Sequence, residues 1–183
     1  MKMLVVDNHD SFVYNLYYYL REMNIEVDVV ENDKLVDASG YDKIIISPGP
    51  GSPLNARDRG RTLDVVDKFD GPVLGICFGH QLLAYHLGSQ ISVARRPYHG
   101  EIDRIKHNGS SLYLGIPDSF DAIRYHSLVI SPNKNIEVDA VSETDGNIMG
   151  FHSVDGRIYG IQFHPESYFT SVGKQILKNF VML

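Results

Sequence analysis

The sequence predicts an α/β fold in which an open, mixed but mainly parallel sheet carries helices on both of its faces. Two features of the first half predict it: short apolar runs alternate with helical patterns, and the first run, 3–6, is continuously apolar. A continuous apolar run is typical of a strand buried on both faces, as in a parallel sheet covered by helices. The second half contains short strand-like runs with turns between them. We therefore expect it to extend the same sheet in partly antiparallel order, within one domain spanning 1–183.

The first half predicts strands and helices in alternating order. The strands are expected at 3–6, 25–30, 43–47 and 72–76. The helices are expected directly after Asp10 or Ser11, at 62–69 and at 78–87. The apolar face of the first helix consists of Phe12, Leu16, Tyr19, Leu20 and Met23, which recur at helical spacing. Asp10 or Ser11 can cap the first helix, and Gly88 can end the third.

The second half predicts six further strands and a closing helix. The strands are expected at 91–94, 101–106, 122–125, 137–141, 148–153 and 158–163. Asp155-Gly156 between the last two predicts a hairpin. The closing helix is expected at 171–183, with an apolar face formed by Val172, Ile176, Leu177 and Phe180.

Composition excludes several classes of function. The chain has 183 residues, a net charge of −6 and no run of Lys and Arg, so neither nucleic acid nor a membrane is expected as a partner. No apolar run approaches the ~20 residues of a membrane span, and the start does not resemble a signal peptide. The single cysteine excludes an internal disulfide and favours the reducing cytoplasm. No histidines have metal-ligand spacing, so no metal is expected.

The sharpest motif is Gly75-Ile76-Cys77-Phe78-Gly79, where a predicted strand runs directly into a predicted helix. Small residues two positions before and after the corner allow the sharp turn of a nucleophile elbow. Such a turn lifts the sulfur above the sheet and places it at a helix N-terminus, which favours a thiolate. The Phe78 N–H can then donate to an oxyanion. The alternative is a buried cysteine that only packs in the core.

A second motif, His164-Pro165-Glu166, follows an apolar strand. Residues two apart on an extended chain point the same way, and Pro165 disfavours a helix at His164. His164 can therefore act as base towards Cys77, with Glu166 orienting it. The alternative is an ordinary polar strand end.

The loop 48–53, Pro-Gly-Pro-Gly-Ser-Pro, is stiff and leaves the N–H groups of Gly49 and Gly51 unobstructed. It can supply the second donor of an oxyanion site. The alternatives are a plain turn and a phosphate-binding loop, although the Gly-Lys-Ser/Thr ending of a P-loop is missing.

These motifs together resemble the class I (triad) glutamine amidotransferases. The segments 75–81 and 163–166 carry the resemblance. The similarity itself runs over nearly the whole chain. The resemblance implies a flavodoxin-like sheet and a glutaminase that needs no cofactor. It implies Cys77, His164 and Glu166 as the catalytic triad. It assigns the oxyanion site and the binding of L-glutamine to Gly49, Pro50, Gly51, Phe78, Gln81, Ser127 and Leu128.

Three further segments, 7–12, 47–51 and 125–128, resemble the glutaminase subunits that deliver ammonia to a chorismate-binding synthase subunit. Anthranilate synthase is the expected destination, and aminodeoxychorismate synthase is the alternative. The motifs are also compatible with the glutaminase of a split GMP synthetase, with a cysteine peptidase-like hydrolase and with a non-enzymatic α/β binding module. One departure is Glu101, which stands where related subunits often carry Lys, and we expect it to affect the partner surface.

Overall fold

The computed structural model describes residues 1–35 and 37–183. The strands in these residues are β1 Lys2–Asp7, β2 Glu26–Glu31, β3 Lys43–Ile46, β4 Val73–Ile76, β5 Ile91–Val93, β6 Glu101–His107, β7 Ser119–Arg124, β8 Leu128–Ile130, β9 Ile136–Ser142, β10 Ile148–Ser153 and β11 Ile158–Ile161. The helices are α1 Val13–Glu22, α2 Ala56–Arg59, α3 Thr62–Val66, α4 Phe78–His86 and α5 Gly173–Met182, with a 3₁₀ turn at Ser111–Tyr113. None of these helices is both long and apolar enough to cross a bilayer.

Nine strands form one sheet in the order β2-β1-β3-β4-β11-β10-β9-β6-β7. The pairs from β2 to β11 are parallel, and those from β11 to β7 are antiparallel. The first half of the chain therefore builds the parallel part, which the returning strand β11 completes. The second half extends it in antiparallel order, as predicted.

Helices cover the parallel part from both sides, and alternate residues of β1 enter two different cores. Met3 and Val5 belong to a core that also contains residues of α1 and α5. Leu4 and Val6 belong to a core that contains residues of α3 and α4. Because both faces are buried, β1 must be apolar at every one of these positions, which explains its continuous apolar run.

Three predictions about the elements are wrong. The run 91–94 does not join the main sheet, because β5 pairs instead with β8 in a separate two-stranded ribbon. Neither Asp10 nor Ser11 caps α1, which begins after Phe12 without a side-chain cap. The Asp10 carboxylate accepts from the Phe12 N–H, and the Asp10 N–H donates to Asp7, so these residues form a separate turn before the helix. Phe12, predicted on the apolar face, is 60% exposed.

Most of the remaining predicted elements are present with ends shifted by a few residues. The hairpin at Asp155-Gly156 joins β10 to β11, and Gly156 has a φ of 73°. Gly88 follows α4 with a φ of 94°, as expected of a glycine that ends a helix. The short elements α2 and β8 were not predicted.

Candidate active site

Neighbouring parallel strands end at one edge of the sheet, and the segments after them form the candidate site. The loop 48–53 follows β3, Cys77 follows β4, and 162–166 follows β11, while β1 leads into 8–12. Ligands of open α/β sheets bind beyond the carboxyl ends of the strands. The strand order thus brings together motifs that lie far apart in sequence.

Cys77 occupies the corner between β4 and α4. Its backbone angles are φ 50° and ψ −99°, a strained conformation for a residue with a Cβ. The Cys77 N–H donates to the Ile161 carbonyl over 2.9 Å, which ties the corner to β11. The Phe78 N–H belongs to the first residue of α4, so it has no acceptor within the helix. The chain therefore has the elbow geometry that the glycine spacing predicts.

The glycines on either side of the corner are required by close backbone contacts. A Cβ on Gly75 would overlap the Gly79 carbonyl oxygen. A Cβ on Gly79 would overlap the Ile46 carbonyl oxygen on β3. Neither backbone oxygen can move aside as a flexible side chain could, so a larger residue would push strand and helix apart.

We predict that Gly75→Ala destabilises the fold by about 3 kcal/mol, because overpacking against backbone atoms cannot be relieved by a side-chain rotation. Gly109→Ala is the control, since a Cβ there meets nothing and only the positive φ of 84° opposes it, at about 1 kcal/mol. Denaturant unfolding of both variants measures the difference. Equal losses would contradict the contact argument.

His164 and Glu166 are both buried, and their side chains meet. Nδ1 of His164 lies 2.6 Å from Oε1 of Glu166. A carboxylate oxygen accepts, so Nδ1 carries a proton. Although burial lowers the pKa of His164, attraction to Cys77 and then to Glu166 raises this pKa well above its ordinary value. The arrangement therefore favours an imidazolium beside the Cys77 sulfur.

Nε2 of His164 is buried and forms no hydrogen bond within the part of the chain that the structure describes. Catalytic hydrogen bonds are often long in an enzyme without its substrate and tighten when substrate binds. This nitrogen is therefore available for proton exchange with Cys77 or with a bound molecule.

A buried polar network holds the loop 48–53 in place. The Asn8 side-chain amide donates to the Ser47 carbonyl over 2.8 Å, and the Asn8 N–H donates to the Ser47 hydroxyl over 3.0 Å. The Ser47 hydroxyl in turn donates to the Pro48 carbonyl over 2.6 Å. The Asn32 amide donates to Asn8 Oδ1 over 3.0 Å. These contacts fix the start of the loop relative to β1 and β3.

Gly49 and Gly51 let this loop approach its neighbours closely. A Cβ on Gly49 would lie 2.5 Å from the Asn8 carbonyl oxygen, and Gly51 has a φ of 93°. Within residues 1–35 and 37–183, no protein acceptor takes the N–H of either glycine. Both donors remain available to a bound molecule.

A cavity of about 180 Å³ brings most of the expected site residues together. Cys77 and Phe78 line it with Gly49, Pro50 and Gly51, and Gln81, Tyr125, His126, Ser127 and Leu128 complete the wall. The Gln81 amide donates to the Leu128 carbonyl over 3.2 Å and to Gln162 Oε1 over 3.0 Å. The side chain of Gln81 is thus held by the opposite wall.

His164 and Glu166 line a second cavity, of about 470 Å³. Cys77, Gly49 and Tyr125 line both cavities, so the two adjoin at Cys77. The rim of the larger cavity carries exposed aromatic side chains, Phe12, Tyr168 and Phe169.

Sequence reasoning missed several residues of the site. Asn8, Asn32 and Ser47 support the loop through contacts between distant segments, which leave no local signal. Asp10 was predicted as a helix cap, but it lines the larger cavity, where burial raises its pKa. The ring of Tyr125 lies edge-on to His164, with centroids 5.3 Å apart.

The arrangement is suited to acyl transfer. It provides a sulfur nucleophile, a histidine oriented by a carboxylate, and free backbone N–H donors beside the same sulfur. Donors of this kind stabilise the negative charge of a tetrahedral intermediate. In contrast, His80 is buried against Phe151, and burial lowers its pKa to about 3, so it is a neutral core residue.

Comparisons with known proteins agree with this geometry. The model of the family "Glutamine amidotransferase class-I" matches residues 4–183. A relative described as anthranilate synthase component 2, from Saccharolobus solfataricus, is 44% identical, over 97% of this chain and 96% of its own. Aminodeoxychorismate synthase component 2 of Escherichia coli is 41% identical, over 97% of this chain and 98% of its own.

A solved structure from Thermoplasma acidophilum, described as one subunit of a GMP synthase, superposes with a TM-score of 0.91 at 28% identity. The superposition covers 100% of this chain and 92% of that protein, which confirms the predicted fold class. From the family model and these full-length relatives it follows that the chain belongs to the class-I glutamine amidotransferase family.

Proposed function

We propose that the chain is the glutaminase subunit of an anthranilate synthase, and that it hydrolyses L-glutamine through a thioester on Cys77. The observation that carries the chemistry is the position of Cys77 where two cavities meet. The N–H donors of Phe78 and Gly49 line the smaller cavity with Cys77, and the His164–Glu166 pair lines the larger one with Cys77.

The reaction has two halves. The sulfur of Cys77 attacks the side-chain carbonyl carbon of glutamine while Phe78 and Gly49 donate N–H groups to the oxygen. The C–N bond then breaks, His164 gives its proton to the departing nitrogen, and ammonia leaves. Water next adds to the γ-glutamyl thioester and gives its proton to His164, and the products are glutamate and the free sulfur.

We place the glutamine in the smaller cavity, against Gln81, Ser127 and Leu128. That cavity is lined mostly by polar backbone and side-chain groups, as the polar ends of an amino acid require. The larger cavity is more apolar, and beyond Asp10 and the triad pair its polar lining residues include Asn15 and Ser167. It suits the escape of ammonia.

The synthase subunit is proposed to dock over the larger cavity. Phe12, Tyr168 and Phe169 are 60%, 90% and 57% exposed at its rim. Aromatic residues are enriched at protein interfaces, and three exposed rings beside the point of ammonia release suit a partner that receives the ammonia. A reactive thiol also suits a reducing compartment, and we propose the cytoplasm.

Anthranilate synthase is proposed because relatives described as its component 2 reach 44% identity. Aminodeoxychorismate synthase is the second candidate, since its component 2 in Escherichia coli is 41% identical. Glu101 does not decide between them, because its carboxylate pairs with Arg96 over 2.7 Å and its charge is locally balanced.

The product of the assembled complex tests this assignment. We predict that the chain co-purifies with the chorismate-using synthase subunit of its own organism, and that the complex forms anthranilate from chorismate and glutamine. Anthranilate is measured by its fluorescence, and the control is the synthase subunit without this chain, supplied with ammonia. Aminodeoxychorismate as product would establish the second candidate, and a complex that forms neither would contradict both.

A further inference from the structure

A buried polar chain leads to the smaller cavity from a group that the proposed chemistry does not use. It starts at Arg124, whose side chain is completely buried at the end of β7. Its guanidinium pairs with Asp103 and, over 3.0 Å, with Asp145. The centroid of the Tyr98 ring lies 3.4 Å from the Arg124 Cζ. The guanidinium is therefore fixed from several directions.

Arg124 determines which nitrogen of His126 carries the proton. The Arg124 Nε donates to His126 Nε2 over 3.0 Å. Arginine has no acceptor, so Nε2 must accept and the proton of the neutral ring lies on Nδ1. Nδ1 then donates to the Leu128 carbonyl over 2.9 Å. Burial lowers the pKa of His126 to about 4, which agrees with a neutral ring.

The Leu128 carbonyl is also the acceptor for Gln81 in the cavity wall, over 3.2 Å. His126 and Gln81 therefore meet at one oxygen. The two preceding carbonyls are held as well. The Ala94 N–H donates to the Ser127 carbonyl over 2.8 Å, and the Tyr98 N–H donates to the His126 carbonyl over 2.9 Å. All three carbonyls of the segment 126–128 are thus fixed, and only the contact at Leu128 depends on the His126 side chain.

We infer that His126 is a positioning residue for glutamine binding, which transmits the fixed position of Arg124 to the Leu128 carbonyl and through it to Gln81. The inference rests on the proposed function, because it takes the smaller cavity as the glutamine site. It assigns His126 no part in bond breaking. Loss of the His126–Leu128 hydrogen bond should weaken glutamine binding without slowing reaction at the sulfur.

Two substitutions of similar size separate the two hydrogen bonds of His126. In His126→Asn the side-chain nitrogen can take the place of Nδ1 and keep the contact to Leu128. In His126→Gln the amide lies further along, near the place of Nε2, so the contact to Arg124 is kept and the contact to Leu128 is lost. His152→Gln is the control, since His152 pairs with Asp139 outside both cavities.

The assay is covalent labelling of Cys77 in the full chain by a diazoketone analogue of glutamine, followed by mass spectrometry. For His126→Gln we expect the concentration for half-maximal labelling rate to rise about tenfold, as one lost hydrogen bond can produce. In His126→Gln the maximal rate of labelling by the analogue should change less than about threefold. The rate of labelling by iodoacetamide should also change less than about threefold, because this reagent lacks the amino-acid part of glutamine. His126→Asn should stay within about threefold of the unmodified chain, and His152→Gln should not differ from it.

Equal losses in the two His126 variants, or a larger loss in His126→Asn, would overturn the inference. So would a loss confined to the maximal rate. If the unmodified chain labels with iodoacetamide but not with the glutamine analogue, the proposed function fails first, and the inference falls with it.

Discussion

Cys77→Ser should lower glutamine-dependent ammonia release by at least about 10³-fold, because the variant lacks the sulfur that forms the thioester. The substitution keeps a Cβ at the strained corner, where φ is 50°, so the elbow should persist. Serine at this position would need a base strong enough to remove a hydroxyl proton, whereas His164 is poised to pair with a sulfur anion. Ammonia release is measured by a coupled assay with excess glutamine.

The control for Cys77→Ser is the free energy of unfolding, which should match that of the unmodified chain within about 0.5 kcal/mol. Activity within tenfold of the unmodified chain, in protein shown by mass to carry serine, would rule out Cys77 as the nucleophile.

Glu166→Gln should lower glutamine turnover by about 10⁴-fold, as replacement of the orienting acid does in comparable triads. The neutral amide can present an N–H to His164 Nδ1, which disfavours the tautomer that the carboxylate holds over 2.6 Å. Loss of the negative charge also removes one of the two attractions that raise the pKa of His164. That pKa should fall, so the alkaline limb of the pH–rate profile should move to lower pH.

Glu137→Gln is the matched control for Glu166→Gln, because Glu137 is the carboxylate beside a different histidine, His152, at 3.6 Å and outside both cavities. It should change neither the rate nor the profile. The orienting role of Glu166 would be refuted if Glu166→Gln behaved in the same way as this control.

The parts of the fold that the sequence predicted well are those with local causes. The elbow at Cys77 follows from glycine spacing, and the two-sided burial of β1 follows from a run of four apolar residues. His164 and Glu166 meet as the sequence predicts, but the predicted cause is wrong: residues 164–167 form a turn in which the Ser167 N–H donates to the His164 carbonyl over 3.3 Å, not an extended chain.

The parts that the sequence did not predict depend on contacts between distant segments. β5 lies outside the main sheet because it pairs with β8, a strand of only three residues. Asn32 supports the loop 48–53 through Asn8, which lies 24 residues away in sequence. The contact between Arg124 and His126 is close in sequence, but its importance depends on Asp103 and Asp145, which come from different segments.

The most direct test of the central claim is to trap the thioester during turnover. The chain and its synthase partner are mixed with glutamine, and the reaction is quenched in acid. The protein is then digested, and the mass of the peptide that contains Cys77 is measured by mass spectrometry. The proposed mechanism predicts a mass gain equal to a glutamyl group on Cys77, absent from Cys77→Ser and increased when thioester hydrolysis is slowed. A complex that releases ammonia from glutamine at full rate while this peptide never gains that mass would contradict it.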